Sequence, residues 1–141
     1  MRIEETLPSD RESVVAIWGR AGLSRPWNDL NEDFATALAN QQQTILVAKE
    51  GSDIAGAVMV ADDGRSGWIY LLGVDPNWER QGVGKSLMEA AERWLAKREQ
   101  YNVFLLVRNE NEKVVPFYEH LGYEERPVRV FRKGLPETKT L

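Results

Sequence analysis

A chain of 141 residues has room for one domain with a sizeable core and none for a second, and 43% hydrophobic with 28% charged residues is the mix of a soluble globular fold rather than of a disordered chain. The net charge of −4 argues against general affinity for nucleic acid, which rests on clustered Lys and Arg, and the absence of cysteine removes disulfides, a thiolate nucleophile and a thiolate metal site, so no metal is expected. No apolar run approaches the roughly 18 residues of a membrane span, and the polar start Met1-Arg2-Ile3-Glu4-Glu5 holds no signal-peptide core, so no membrane partner and a cytoplasmic location are expected.

After a leading strand, Ser9-Asp10-Arg11-Glu12 reads as a capping box, and Val14, Ile17, Trp18 and Ala21 follow at helical spacing, predicting a first helix over about 10–21. Asp29 through Glu32 caps a shorter second helix carrying Phe34 and Leu38. The period then falls to two. Thr44–Lys49 and Ile54–Val60 read as a hairpin closed by Glu50-Gly51-Ser52-Asp53, and a third strand spans Trp68–Val74, before Pro76. Leu87, Met88, Ala91, Trp94 and Leu95 share one face of a helix over about 83–98. The continuous apolar run Val103–Val107 predicts a central buried strand, Val114, Phe117, Tyr118 and Leu121 a further helix closed by Gly122, and Val128–Arg132 a last strand. The order β-α-α-β-β-β-α-β-α-β implies a single α/β domain over 1–141, with a mixed sheet and helices on both sides.

The densest chemical signal is the run from Trp68 to Lys85, a strand, a tight loop and a helix start. Gly82 and Gly84 let the backbone approach a ligand and turn the unpaired amides of Gln81, Gly82, Val83, Gly84 and Lys85 toward one point, where the helix dipole favours an anion. Pyrophosphate is the usual guest of such a nest, with Arg80 and Lys85 adding charge; a plain tight turn would use the same glycines. Two other phosphate loops are excluded. A Walker A loop requires glycine where Glu79 stands, and a dinucleotide fingerprint requires one at Leu87.

Glu79 through Gly84 resembles the acetyl-CoA loop of the GNAT acetyltransferases, in which Arg or Gln is followed by two residues, Gly, one residue, and Gly or Ala; Glu79 departs from that pattern at its first place. Asn111, Phe117-Tyr118 and Gly122-Tyr123 match the family's second landmark in order and spacing. Segments 23–29, 70–74 and 118–123 look like those of its small bacterial YpeA-type members. The resemblance implies the GNAT fold, acetyl-CoA as cosubstrate and an amine acceptor, with a homodimer common among similar proteins. It further implies that the third strand splays from the Val103–Val107 strand, that pantetheine lies in the gap against Leu72, Gly73 and Val74, and that a bulge near Leu72 or Gly73 aims an amide at the thioester oxygen.

Tyr118 is the candidate general acid, since the motif places its hydroxyl beside the sulfur; helical spacing alone puts Phe117 and Tyr118 in a core. Asn111 should cap its helix, cofactor contact being the added claim. For the acceptor cleft, Trp27 offers an apolar or cation-π wall and Asp29 and Glu32 offer carboxylates, against the plain alternative of a helix cap beside a packed Trp. His120 lies off the apolar face and reads as surface. Against an N-acetyltransferase stands a non-catalytic acyl-CoA binding module; a purely structural domain would have no use for the glycine loop.

Overall fold

In the computed structural model, which describes residues 1–137 and leaves 138–141 of the expected domain outside the described residues, five strands form one sheet in sequence order. β1 (Arg2–Glu5), β2 (Gln43–Glu50), β3 (Asp53–Asp62) and β4 (Gly67–Val74) pair antiparallel with successive neighbours, and β5 (Val103–Leu105) joins β4 in parallel. The turns use the chemistry the residues suggest. Gly51 takes a φ of 61° between β2 and β3, and the Asp62 and Asp63 carboxylates accept the amides of Gly64, Arg65 and Ser66 at the next hairpin. A parallel step needs a long crossover, which α3 (Val83–Lys97) supplies.

Strand alternation sends each sheet face to different helices. On one face α1 (Arg11–Arg20) and α2 (Leu30–Ala39) bury Val14, Trp18, Phe34 and Ala37 against Ile45, Val47, Ala57 and Met59. Val83, Leu87, Met88, Ala91 and Leu95 of α3 are buried as well, and that helix packs on β2, β3 and β4. Trp94 stays partly exposed beneath the Arg98 guanidinium, 4.5 Å from the ring centroid. Asp29 caps α2 as expected, accepting the amides of Asn31 (2.9 Å) and Glu32 (3.3 Å), while Leu38 faces solvent and Leu30 and Ala37 fill the core instead.

The chain forms two compact units, Met1–Leu106 and the residues from Val107 onward. The second holds a 3₁₀ turn (Asn109–Val114) leading into α4 (Val115–His120). Pro116 sits in its first turn, and Gly122, at a φ of 93°, ends it, with the Tyr123 amide donating to the Tyr118 carbonyl at 3.1 Å.

Three expectations are corrected. Ser9 starts no capping box: Pro8–Asp10 is a 3₁₀ turn, and the Asp10 carboxylate accepts the Leu7 amide at 2.8 Å and pairs with Lys49 at 3.1 Å. Lys49 is buried in β2, and an ammonium taken out of water requires anions; a Glu4 carboxylate oxygen also lies 3.2 Å from it. The hydrogen bond to Asp10 holds Lys49 above the usual lysine range despite its burial. The Val103–Val107 run gives three paired residues at the sheet edge, not a central strand, and Phe104 is 37% exposed. Val128–Arg132 forms no strand. A strand exists only through its ladder, and among the described residues this segment has no pairing partner, leaving Phe131 90% exposed.

β3 and β4 cross so closely at Gly56 that a methyl there would stand 2.9 Å from the Gly73 carbonyl oxygen and 3.0 Å from Val83 and Leu87. Gly56→Ala should therefore destabilise the fold by about 1–3 kcal/mol, the range for overpacking a filled core; a denaturant midpoint equal to the parent's would show that the crossing yields.

Candidate active site

β4 is the strand on which the site is built. Among the described residues its ladder to β5 covers only Gly67↔Val103, Trp68↔Phe104 and Ile69↔Leu105, so the edge of Tyr70–Val74 leaves β5 behind and its backbone groups are open to another partner. On its other edge, Ala57 pairs with Gly73 and Met59 with Tyr70, which sets two residues, Leu71 and Leu72, opposite Val58. This is a β-bulge, and Leu71 takes a φ of 52°, a left-handed conformation costly for a leucine. Gly73 lies just beyond the bulge, where a Cβ would meet Trp18 at 3.1 Å and Ala21 at 3.3 Å; its missing side chain makes room for α1.

The chain leaves β4 through Asp75, whose amide donates to the Ala55 carbonyl at 2.8 Å. The Asp75 carboxylate accepts the Asn77 amide at 2.9 Å with one oxygen and the Arg20 guanidinium at 2.8 Å with the other, and its carbonyl accepts the Trp78 amide at 2.8 Å. One residue thus ties the outgoing loop to β3, to α1 and to the 3₁₀ turn Pro76–Trp78. Arg80 and Gly82 then take φ values of 64° and 79°, and Gly82 stands at the N-cap of α3 with no side chain to offer a cap. The first bond of the helix runs from the Ser86 amide to the Gly82 carbonyl at 3.0 Å. Among the described residues no acceptor meets the amides of Gln81, Gly82, Val83, Gly84 or Lys85. Alternating backbone handedness and a helix dipole turn such a row into an anion nest. The Val83 side chain is buried under α3, so only its amide belongs to the nest; Arg80, Gln81 and Lys85 are exposed.

In the second unit Phe117 and Tyr118 lie edge to face at 5.0 Å, and Tyr118 meets Tyr123 the same way at 6.1 Å. Burial pushes the Tyr118 phenol above the usual tyrosine value. Asn111 is no helix cap: it sits inside the 3₁₀ turn with non-helical φ −107° and ψ 42°, and Val114 occupies the N-cap of α4. Two helical segments meet at Asn111, so the capping position falls three residues later.

A family model described as the Acetyltransferase (GNAT) family matches residues 9–123. The chain belongs to the GNAT acetyltransferases. An acetyltransferase of Pectobacterium atrosepticum, ECA0875, is 36% identical over 124 residues and 88% of each chain. Among solved structures, AAC(6')-Iy in complex with a bisubstrate analogue, CoA-S-monomethyl-acetylneamine, is similar in fold with a TM-score of 0.81 at 18% identity, over 95% of this chain and 98% of that one. A predicted acetyltransferase of Clostridium acetobutylicum, solved with acetyl-CoA, gives 0.76 at 17% identity over 94% and 95%.

As a GNAT acetyltransferase, the protein collects Leu72, Gly73, Val74 and the residues from Arg80 to Lys85 along one strand and the helix start after it, and Asn111, Phe117 and Tyr118 along one turn and helix. Of the acceptor candidates, Asp29 is engaged as the α2 cap, Glu32 is exposed in the first turn of that helix, and Trp27 is 57% exposed. Sequence reasoning passed over Leu71 and Asp75. Nothing marks Leu71 as left-handed, whereas Asp75-Pro76-Asn77 carries the signature of an Asx turn. Asp75→Ala should raise the KM for acetyl-CoA about tenfold with a smaller effect on kcat, and Asp75→Asn, which keeps the Asn77 bond, should recover part of it; equal KM values in all three proteins would show that the loop holds its shape without this anchor.

Proposed function

We propose that the protein acetylates a primary amine with acetyl-CoA by direct attack within a ternary complex. The observation that supports this most is the row of five amides, Gln81 to Lys85, that have no acceptor among the described residues, in the loop and helix start that follow the strand whose edge has parted from its neighbour. A diphosphate suits the first feature and an extended amide chain the second, and coenzyme A carries both. AAC(6')-Iy, similar in fold, was solved with the bisubstrate analogue CoA-S-monomethyl-acetylneamine.

On this reading the open edge of Tyr70–Val74 pairs with the pantetheine amides, and a main-chain N–H at the bulge of Leu71 and Leu72 faces the carbonyl oxygen on which charge develops. Removing such a donor typically costs about 3 kcal/mol of transition-state stabilisation. The neutral acceptor amine attacks the acetyl carbon to give a tetrahedral intermediate; its collapse breaks the carbon–sulfur bond, the departing thiolate takes a proton from the Tyr118 hydroxyl, and the proton shed by the acylated nitrogen passes to water, from which the phenolate is reprotonated. With no cysteine in the chain the acyl group has no thiol to rest on. Burial keeps the phenol protonated and so able to serve as the acid.

Tyr118→Phe should lower kcat about 100-fold, the low end for proton-transfer catalysis, with acetyl-CoA affinity nearly unchanged; equal turnover would remove Tyr118 from the mechanism. Because its pKa is raised, loss of the acid occurs only as pH climbs above the usual tyrosine value of about 10, so kcat should show no alkaline loss from this group between pH 7 and 9. Gly84→Asp sets a carboxylate among the nest amides and should weaken acetyl-CoA at least about tenfold, or ~1.4 kcal/mol, by calorimetry; undiminished affinity would put the diphosphate elsewhere.

A further inference from the structure

The mouth of the β4–β5 opening is paved with aromatic rings. Trp68 and Tyr70 share one face of β4 by the two-residue period, their rings 6.4 Å apart and 13° from parallel. Phe104, the register partner of Trp68 on β5, lies 5.2 Å from the indole at 32°. Gly67 and Ile69 point the other way, where a methyl on Gly67 would strike Leu95 of α3. Two of the three rings are open to solvent, Tyr70 being 43% and Phe104 37% exposed. The shelf is also fixed in place. The Trp68 Nε1–H donates to the Asp63 carboxylate at 3.0 Å, and that carboxylate accepts the amides of Arg65 and Ser66, each at 2.8 Å. The Arg65 and Ser66 amides and the indole hold Asp63 below the usual carboxylate range, so a negative charge stands at the shelf's far end, with Arg65 close enough to act on it too. At the near end Tyr70 runs directly into Leu71 and the bulge, about 10 Å along the strand from Trp68 at 3.3 Å per residue.

A rigid aromatic floor with an anion at one end and the reacting carbonyl at the other selects a ligand by shape and charge. We infer that the shelf of Trp68, Tyr70 and Phe104 binds the body of the acceptor, and that the acceptor is a primary amine carried on a flat ring, with its amine directed to the bulge. This deepens the acetyl-transfer reading and rests on it. A linear aliphatic amine covers less of the rings and has no face to stack, so it loses both area and ring geometry. The anionic rim attracts the ammonium form toward the shelf, and the amine loses its proton to water before it attacks at the bulge.

The test compares 2-phenylethylamine with n-hexylamine at saturating acetyl-CoA, by thiol release, in the parent, Tyr70→Ala and Phe104→Leu. The expected result is a kcat/KM at least tenfold higher for phenylethylamine in the parent, a loss of most of that preference in each variant, and a KM for acetyl-CoA in Phe104→Leu within twofold of the parent's. Saturation-transfer NMR on the CoA-loaded protein, which needs no turnover and no loss of fold, should place the contact on the phenyl protons and show it weakened in Phe104→Leu. Equal kcat/KM for the two amines, or no signal on the ring protons, overturns the inference. So does a fall in sedimentation coefficient in Phe104→Leu with no amine contact in the parent, which would make the shelf an interface between two copies. Failure of acetyl-CoA to stabilise the parent against heat would instead remove the transferase reading, and the ring-proton signal still decides the shelf.

Discussion

Everything in the site depends on β4 having to satisfy two neighbours that ask different things of it. β3 runs antiparallel along the whole strand, and β5 runs parallel along its first three residues only. A strand in a regular ladder has no spare hydrogen-bonding groups, so a sheet binds an extended ligand edge-on only where a pairing has been given up. Here it is given up after Ile69, and the bulge at Leu71 and Leu72 re-aims the next stretch at the same place. The left-handed Leu71 is a local cost, met by the packing around it: Trp18 of α1 lies under Gly73 and donates its indole N–H to the Ala57 carbonyl at 3.4 Å, beside the pair Ala57↔Gly73 that frames the bulge.

α1 therefore does more than cover the sheet. Its buried Trp18 supports the bulge from below, and two residues later Arg20 grips Asp75, where β4 gives way to the loop. That ion pair is half exposed on the arginine side, and its free energy alone is small. Its value is geometric, because the same carboxylate orders the turn that delivers Arg80 and Gly82 in left-handed conformation to the start of α3.

How far this was legible from the residues follows from the range of the forces involved. The hairpins, the helices and the loop before Val83 were readable because turn glycines, Asx side chains and helical spacing act over a few residues. The α2 cap at Asp29 was readable for the same reason. The Ser9 capping box was misread because Lys49, thirty-nine residues after Asp10, competes for the carboxylate, and no local pattern shows a buried ammonium in need of an anion. The edge position of β5 was misread because five apolar residues in a row look the same whether a strand has one neighbour or two. Leu71 was invisible, since a bulge is a property of two strands in register and not of either alone. The aromatic shelf is present in the sequence as Trp68, Tyr70 and Phe104, yet the parallel register of β4 and β5 is what brings the third ring to the first two.

That register also explains why one strand can carry three tasks without interference. Successive residues of β4 face opposite sides, so the rings of Trp68 and Tyr70 occupy one surface while Gly67 and Ile69 pack toward α3. The bulge then uses the extra residue to shift the phase, which is why Gly73, an odd-numbered residue like Gly67, turns to α1 instead of α3. In the proposed enzyme, acceptor recognition, carbonyl activation and diphosphate binding follow one another along β4 and the turn after it, at spacings set by the backbone. Changing one of these tasks without disturbing the next requires substitutions that keep the phase: ring for ring at Trp68 and Tyr70, and no insertion or deletion between Ile69 and Gly82.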